Sequence, residues 1–155
     1  MSEYIKGSDV RKLQKGIKVE RPASLTPQGV PGVLPIFNIL VGRVAVTQLV
    51  GECTVGMGAI ADSMTIEGNP AVGATVPLCT LLSTANDEVG CLYGIEGDPA
   101  VALIGINAGA LPAQERNVIL PVGTLDWRTL ADNTGQIKWT IFYVPIDDGA
   151  YVTVA

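Results

Sequence analysis

The sequence predicts an all-β fold: a single β-sandwich or barrel, jelly-roll-like, preceded by an extended N-terminal arm. Three observations predict it. Short runs rich in β-branched residues recur at roughly 8–12 residue intervals with turn residues between them. No helical periodicity of useful length follows Gly16. Charge also divides the chain. Six of the ten Lys and Arg precede Pro22, with only three of the fifteen acids, so this stretch carries +3. The remainder, four cations against twelve acids, carries −8.

The arm is expected to occupy residues 1–35 and the β domain residues 36–155. Residues 8–15 carry helix signals: Ser8 as N-cap, Asp9 in the first turn, Lys12 and Lys15 in the last, and Gly16 just beyond. Val10, Leu13 and Ile17 then fall on one face at three- and four-residue spacing. About two turns of helix are too short to be stable alone and need a surface to dock on. Residues 22–35 hold four of the ten prolines. They are expected to form a semi-rigid extended strap, neither helix nor central strand.

From Ile36 onward the pattern is β. Residues 43–50 alternate, with Val44, Val46 and Leu49 inward, and Gly51 is expected to turn the chain so that 52–60 runs back. Gly56-Met57-Gly58 reads as strand allowing close backbone packing. Further strands are expected at 63–67, 72–82, 89–95, 101–106, 117–120 and 137–144. The chain closes with Asp148-Gly149 between the run 139–144 and the run 151–154, the signature of a β-hairpin. One segment recurs: Ile66-Glu-Gly-Asn-Pro-Ala-Val72 returns as Ile95-Glu-Gly-Asp-Pro-Ala-Val101. Gly for a positive φ and Asn or Asp before Pro describe one turn used twice, with both copies at the same end of the fold.

The chemistry available is narrow. The chain has no histidine, which removes the commonest general base and metal ligand together with Ser-His-Asp and Cys-His systems. Cys53, Cys79 and Cys91 lack metal-finger spacing and read as small buried hydrophobes. No secretory leader is legible at the polar start, so folding in a reducing cytosol is expected. Gly-rich stretches match no phosphate-binding loop. Asp147-Asp148, with Asp126 or Asp132, could pair as acid and base or hold Ca²⁺, but adjacent acids on a turn point apart into water. No catalytic, cofactor or metal residue is assigned.

Hydrophobic residues make up 48% of the chain and charged residues 16%, with a mean hydropathy of +0.37. A globular domain averages about 25% charged residues. No apolar run reaches the roughly 18 residues of a membrane span. A chain that cannot clothe itself in charge and does not enter a membrane is expected to hide apolar surface against neighbours as a homo-oligomer. The arm's cations are interleaved with acids and only Tyr4 offers stacking, so nucleic acid is not the expected partner. A protein surface is, through Lys6, Arg11, Lys12, Leu13, Lys15, Ile17, Lys18 and Arg21.

A family resemblance enters with particular segments: Val41-Gly-Arg-Val-Ala-Val-Thr-Gln-Leu-Val-Gly-Glu52, Asn69-Pro-Ala-Val-Gly73, Ile119-Leu-Pro-Val-Gly-Thr-Leu-Asp126, and Asn133 to Trp139 with Phe142-Tyr-Val-Pro-Ile-Asp-Asp-Gly-Ala150. Together they resemble auxiliary capsid proteins of tailed bacteriophages: decoration, cement or head-fibre subunits. The resemblance implies a compact β domain, often trimeric, on the outside of a shell of major capsid protein. It implies location on the virion exterior after synthesis in the host cytoplasm, and it supplies no ligand or catalytic residue. The arm lies outside it. Two other readings are a receptor- or glycan-binding module on a fibre or tail, and an enzyme using carboxylates alone.

Overall fold

The computed structural model describes residues 6–155. One helix, α1 (Gly7–Lys15), precedes thirteen strands. These are β1 (Ile17–Glu20), β2 (Ser24–Leu25), β3 (Gly32–Leu40), β4 (Val44–Val55), β5 (Ser63–Pro70), β6 (Val76–Pro77) and β7 (Leu82–Ser83), then β8 (Leu92–Gly94), β9 (Ile104–Ile106), β10 (Val118–Leu120), β11 (Gly123–Thr129), β12 (Gln136–Pro145) and β13 (Tyr151–Val154). They form two antiparallel sheets packed as an all-β sandwich. The first has the order β1-β12-β4-β8-β9, with β2 also on β12 and β10 also on β4. The second has the order β13-β3-β11-β5-β6, with β7 also on β5.

Successive long strands alternate between the sheets: β3 in the second, β4 in the first, β5 in the second, then β11 and β12. With β1 and β2 sharing one position on β12, β6 and β7 another on β5, and β8 and β10 a third on β4, this is the two-Greek-key order of a jelly roll. β9 and β13 are additions at the margins.

The core lies between the sheets and follows the period-2 alternation of each strand. Ile137, Trp139, Ile141 and Tyr143 of β12 point inward, as do Leu125 and Trp127 of β11. Trp127 and Trp139 meet edge to face from opposite sheets, with ring centroids 5.6 Å apart. Such a pair is worth about 1 kcal/mol beyond its buried area. Gly51, directly opposite Trp139, leaves room for the indole; a Cβ there would stand 2.7 Å from a ring carbon. The expected turn at Gly51 is therefore absent. β4 continues through it as one strand of twelve residues. Residues 56–58 are not strand either, and Gly58 donates its N–H to Asn133 at 2.7 Å.

The closing hairpin is overturned in the same way. Gly149 has the positive φ that Asp-Gly chemistry demands, at +79°. The strands it joins nevertheless belong to different sheets: β12 pairs with β4 and β1, and β13 pairs with β3. Asp147 fixes this corner by accepting the Arg43 backbone N–H at 2.8 Å and two guanidinium bonds at 2.9 and 2.7 Å. That ion pair holds its carboxyl well below the usual range.

The boundary at residue 36 falls inside β3, and residues 22–35 are not a free strap. Thr26 is buried and donates its hydroxyl to the Asn133 carbonyl at 2.8 Å, while Thr129 donates to the Pro27 carbonyl at 2.9 Å. Pro35 even sits within β3, between β13 and β11. It is tolerated because Ile36 forms a β-bulge against β11, and because the pairing with β13 reaches only to Phe37. The bulge also turns both Ile36 and Phe37 into the core.

The repeated heptads adopt different conformations. The first is largely the end of β5, with Gly68 paired to both Leu125 and Val76. The second is a turn with Gly97 at φ +101°. Asp98 accepts the Ala100 N–H at 2.9 Å, whereas Asn69 donates to Asp126 at 3.2 Å and accepts from Thr75 at 3.0 Å. The single differing side chain thus makes the local bond that closes the turn. Both copies border the segment 78–80: Leu78 N–H bonds the Ile66 carbonyl and Thr80 N–H the Val101 carbonyl.

Candidate interaction surface: the N-terminal arm

α1 forms where its residues predict, shifted by one. Lys6, not Ser8, occupies the N-cap, with extended backbone and no side-chain cap bond, and Ser8 lies inside the helix. Asp9 stands in the first turn and Lys12 and Lys15 in the last, complementing the helix dipole. Gly16 ends the helix, returning its N–H to the Lys12 carbonyl at 3.0 Å.

Gly16 is also the joint to the sandwich. Its φ of +91° with ψ of −154° belongs to a region that is essentially glycine's, and a Cβ there would overlap the Tyr143 carbonyl. Thr47 donates its hydroxyl to the Lys15 carbonyl and to Phe142 O at 3.2 Å. It can do so because β4 bulges at Thr47 where the register with β12 shifts. Thr47 and Phe142 are arm-positioning residues that sequence reasoning missed. A Thr within a clean alternation carries no visible mark of a bulge.

α1 contributes no buried residue. Leu13 is 84% exposed and Val10 is exposed on the same face of the helix, while Ile17, exposed too, already belongs to β1. Arg11, Lys12 and Lys15 lie on the other faces of the helix, Arg11 and Lys12 toward the sheet, and among the described residues neither these three nor Lys6 forms an ion pair. Ser8, Arg11, Lys12, Lys18 and Phe142 line a shallow hollow between helix and sheet.

The other three predicted arm residues belong to β1 and its end. Ile17–Glu20 pair rung by rung with Tyr143–Thr140. Lys18 bonds Glu20 at 3.0 Å, and Glu20 also bonds Lys138 of β12 at 2.8 Å. These bonds, Lys138 first, hold the Glu20 carboxyl below its ordinary value. Arg21 turns back onto the fold: its backbone N–H bonds Trp139 O at 2.8 Å and its guanidinium bonds Ser24 at 2.5 Å. Burial lowers its pKa. Arg21 thus also serves the fold, and Lys18 is half engaged. What remains outward is α1 with Ile17.

The acids and thiols are occupied in other ways. Asp126 is buried and bonded by Asn69, Asp132 accepts the Gly29 N–H at 2.5 Å, and Asp147 holds Arg43. The three cysteines are free and buried, and burial pushes the Cys53 thiol up to about 11. The arm can bind by apolar contact and by positive charge, and these are the means it offers. Among the described residues no helix is long and apolar enough to cross a membrane. Neither a protein-family model, nor a curated protein, nor a solved structure matches this chain.

Proposed function

We propose that the chain is a non-enzymatic structural subunit of a bacteriophage virion. It binds the outside of the capsid as a decoration or cement subunit, assembles as a homo-oligomer, a trimer, and is anchored through its N-terminal arm to the major capsid protein. One observation carries this reading: α1 is an amphipathic cationic helix that buries nothing in its own fold. Nine residues of helix gain little stability in isolation, so the segment is completed by a partner. An acidic surface with an apolar furrow suits a helix that presents Leu13 and Val10 on one face and Arg11, Lys12 and Lys15 on the others. The segmental resemblance to auxiliary capsid proteins supplies the shell.

The jelly roll also hosts sugar-binding domains, but stacking on sugars requires exposed aromatic rings. Phe37, Tyr93, Trp127, Trp139 and Tyr143 are all buried, leaving half-buried Phe142 and exposed Tyr151 among the described residues. The anchored structural subunit is therefore preferred to the glycan-binding alternative.

The test is co-sedimentation with purified phage capsids. Full-length protein should pellet with them, and raising salt from about 0.05 to 0.5 M should weaken it by screening the exposed cations. Protein lacking residues 1–15 should stay in the supernatant at both salts. Truncated protein that decorates as tightly as the full chain would overturn the anchor.

A further inference from the structure

The sandwich carries a second outward apolar surface, bordered by charges that are paired within the chain. One hollow between Val41, Val72 and Pro121 lies at a loop end. It shares Pro121 with a hollow at the seam between the two sheets, floored by Leu78 and Leu120 and rimmed by Ile119 and Val76. That hollow shares Val76 and Leu78 with a third, which ends at Pro99. Val72 is 92% exposed, Ile119 60% and Val76 51%.

Among the described residues no charged side chain lines the two central hollows. Charges at the borders are neutralised within the chain. Arg43 holds Asp147 at 2.7 Å at one end, and Arg128 holds Glu67 at 3.2 Å at the other. Arg116 holds Asp98 beside Gly97 of the third hollow. Three of the four cations that follow Pro22 are thus spent on acids around this belt.

We infer that this belt is the face through which the chain binds further copies of itself. A body of −8 repels its own copies, so close approach requires a face where that charge is cancelled or absent. The belt combines this with continuous apolar area and few charges at its centre, the pattern of an interface core. The cations of a basic partner such as α1 of a neighbour would find no free acid on this face, and a polyanion would find no free cation. Another copy, neutral and apolar at the same place, matches it. The inference names the surface for the oligomer proposed above and does not depend on the capsid.

Light scattering and sedimentation equilibrium at tens of micromolar test it. Wild type should show a multiple of the 16.2 kDa chain mass. Ile119→Lys and Ile119→Glu should each weaken self-association by about 100-fold, because a buried unpaired charge of either sign is costly there. Val76→Lys should repeat the effect, and circular dichroism should show all three folded, since both positions face solvent in the single chain. Leu13→Asp should keep the wild-type mass. A monomeric wild type would overturn the inference. So would belt variants that keep the wild-type mass, or dissociation by only one sign of charge, which would mean ion pairing instead. Failure of capsid binding with the oligomer intact would count against the anchor alone.

Discussion

α1 and β1 adjoin in the chain within its basic N-terminal stretch, yet they stand in opposite relations to the fold. α1 spends nine residues and buries none, while β1 spends four and gives β12 a partner along its otherwise open edge. A ten-residue strand carrying Ile137, Trp139, Ile141 and Tyr143 with one side unpaired invites pairing with another chain. β1 removes that hazard, helped by the charges of Lys18 and Glu20. The difference teaches that opposite charge and proline content do not by themselves mark a detached arm. What decides is whether the sheet has an edge left to fill.

Truncation breaks the comparison most sharply. Removing residues 1–15 should leave the denaturant midpoint unchanged, because surface segments without buried contacts contribute little. Removing residues 1–21 should cost about 2 kcal/mol in lost ladder bonds and raise light scattering as the β12 edge is exposed. Equal stability of the two truncations would mean that β1 adds nothing to the sheet.

A smaller change acts at the joint. Gly16→Val should cost about 2 kcal/mol in chemical denaturation through backbone strain, with the overlap at Tyr143 in addition. A Gly16→Val protein as stable as wild type would break the described docking of the arm.

The smallest expected effect lies at Glu20. Its pKa is lowered by Lys138 and Lys18, so its contribution is present above the ordinary carboxylate range and is lost as pH falls through its depressed value. All three groups are well exposed, so Glu20→Gln should cost at most about 0.5 kcal/mol at neutral pH. The difference from wild type should vanish in acid. A difference that grows in acid would reverse the assigned sign.

Local chemistry was legible in the sequence wherever one residue type dictates a conformation. Gly149 has its left-handed φ, Gly16 ends the helix, and the three cysteines are inside. Pairing was less legible because it depends on residues far away. The Asp148-Gly149 turn looks the same whether it joins neighbours in one sheet or crosses between two. Gly51 reads as a turn until Trp139 is placed opposite it. β11 escaped notice because Gly123, Thr124 and Asp126 dilute a run whose Leu125 and Trp127 fill the core. Of the eight proposed contact residues, Lys6, Arg11, Lys12, Leu13 and Lys15 lie on or cap α1 and Ile17 follows it, while Lys18 and Arg21 were claimed by bonds to Glu20 and Ser24. Charge along a chain shows where cations are, not which of them a fold will use. The apolar belt was legible only as a low charged fraction, since its members come from five separated loops and strands.

The joint at Gly16 also sets how the molecule carries force. A tension applied to α1 along the direction of β1 reaches the sandwich at Ile17 and distributes over the four rungs to Tyr143, Phe142, Ile141 and Thr140 together. Rungs loaded in shear must yield at once, whereas a pull across the strand would unzip them singly from Ile17. Resistance to such a load is governed by the rate of unfolding, not by equilibrium stability. The joint is therefore strong along β1 and weak across it, so α1 can tilt against the sandwich more readily than it can be drawn away from it.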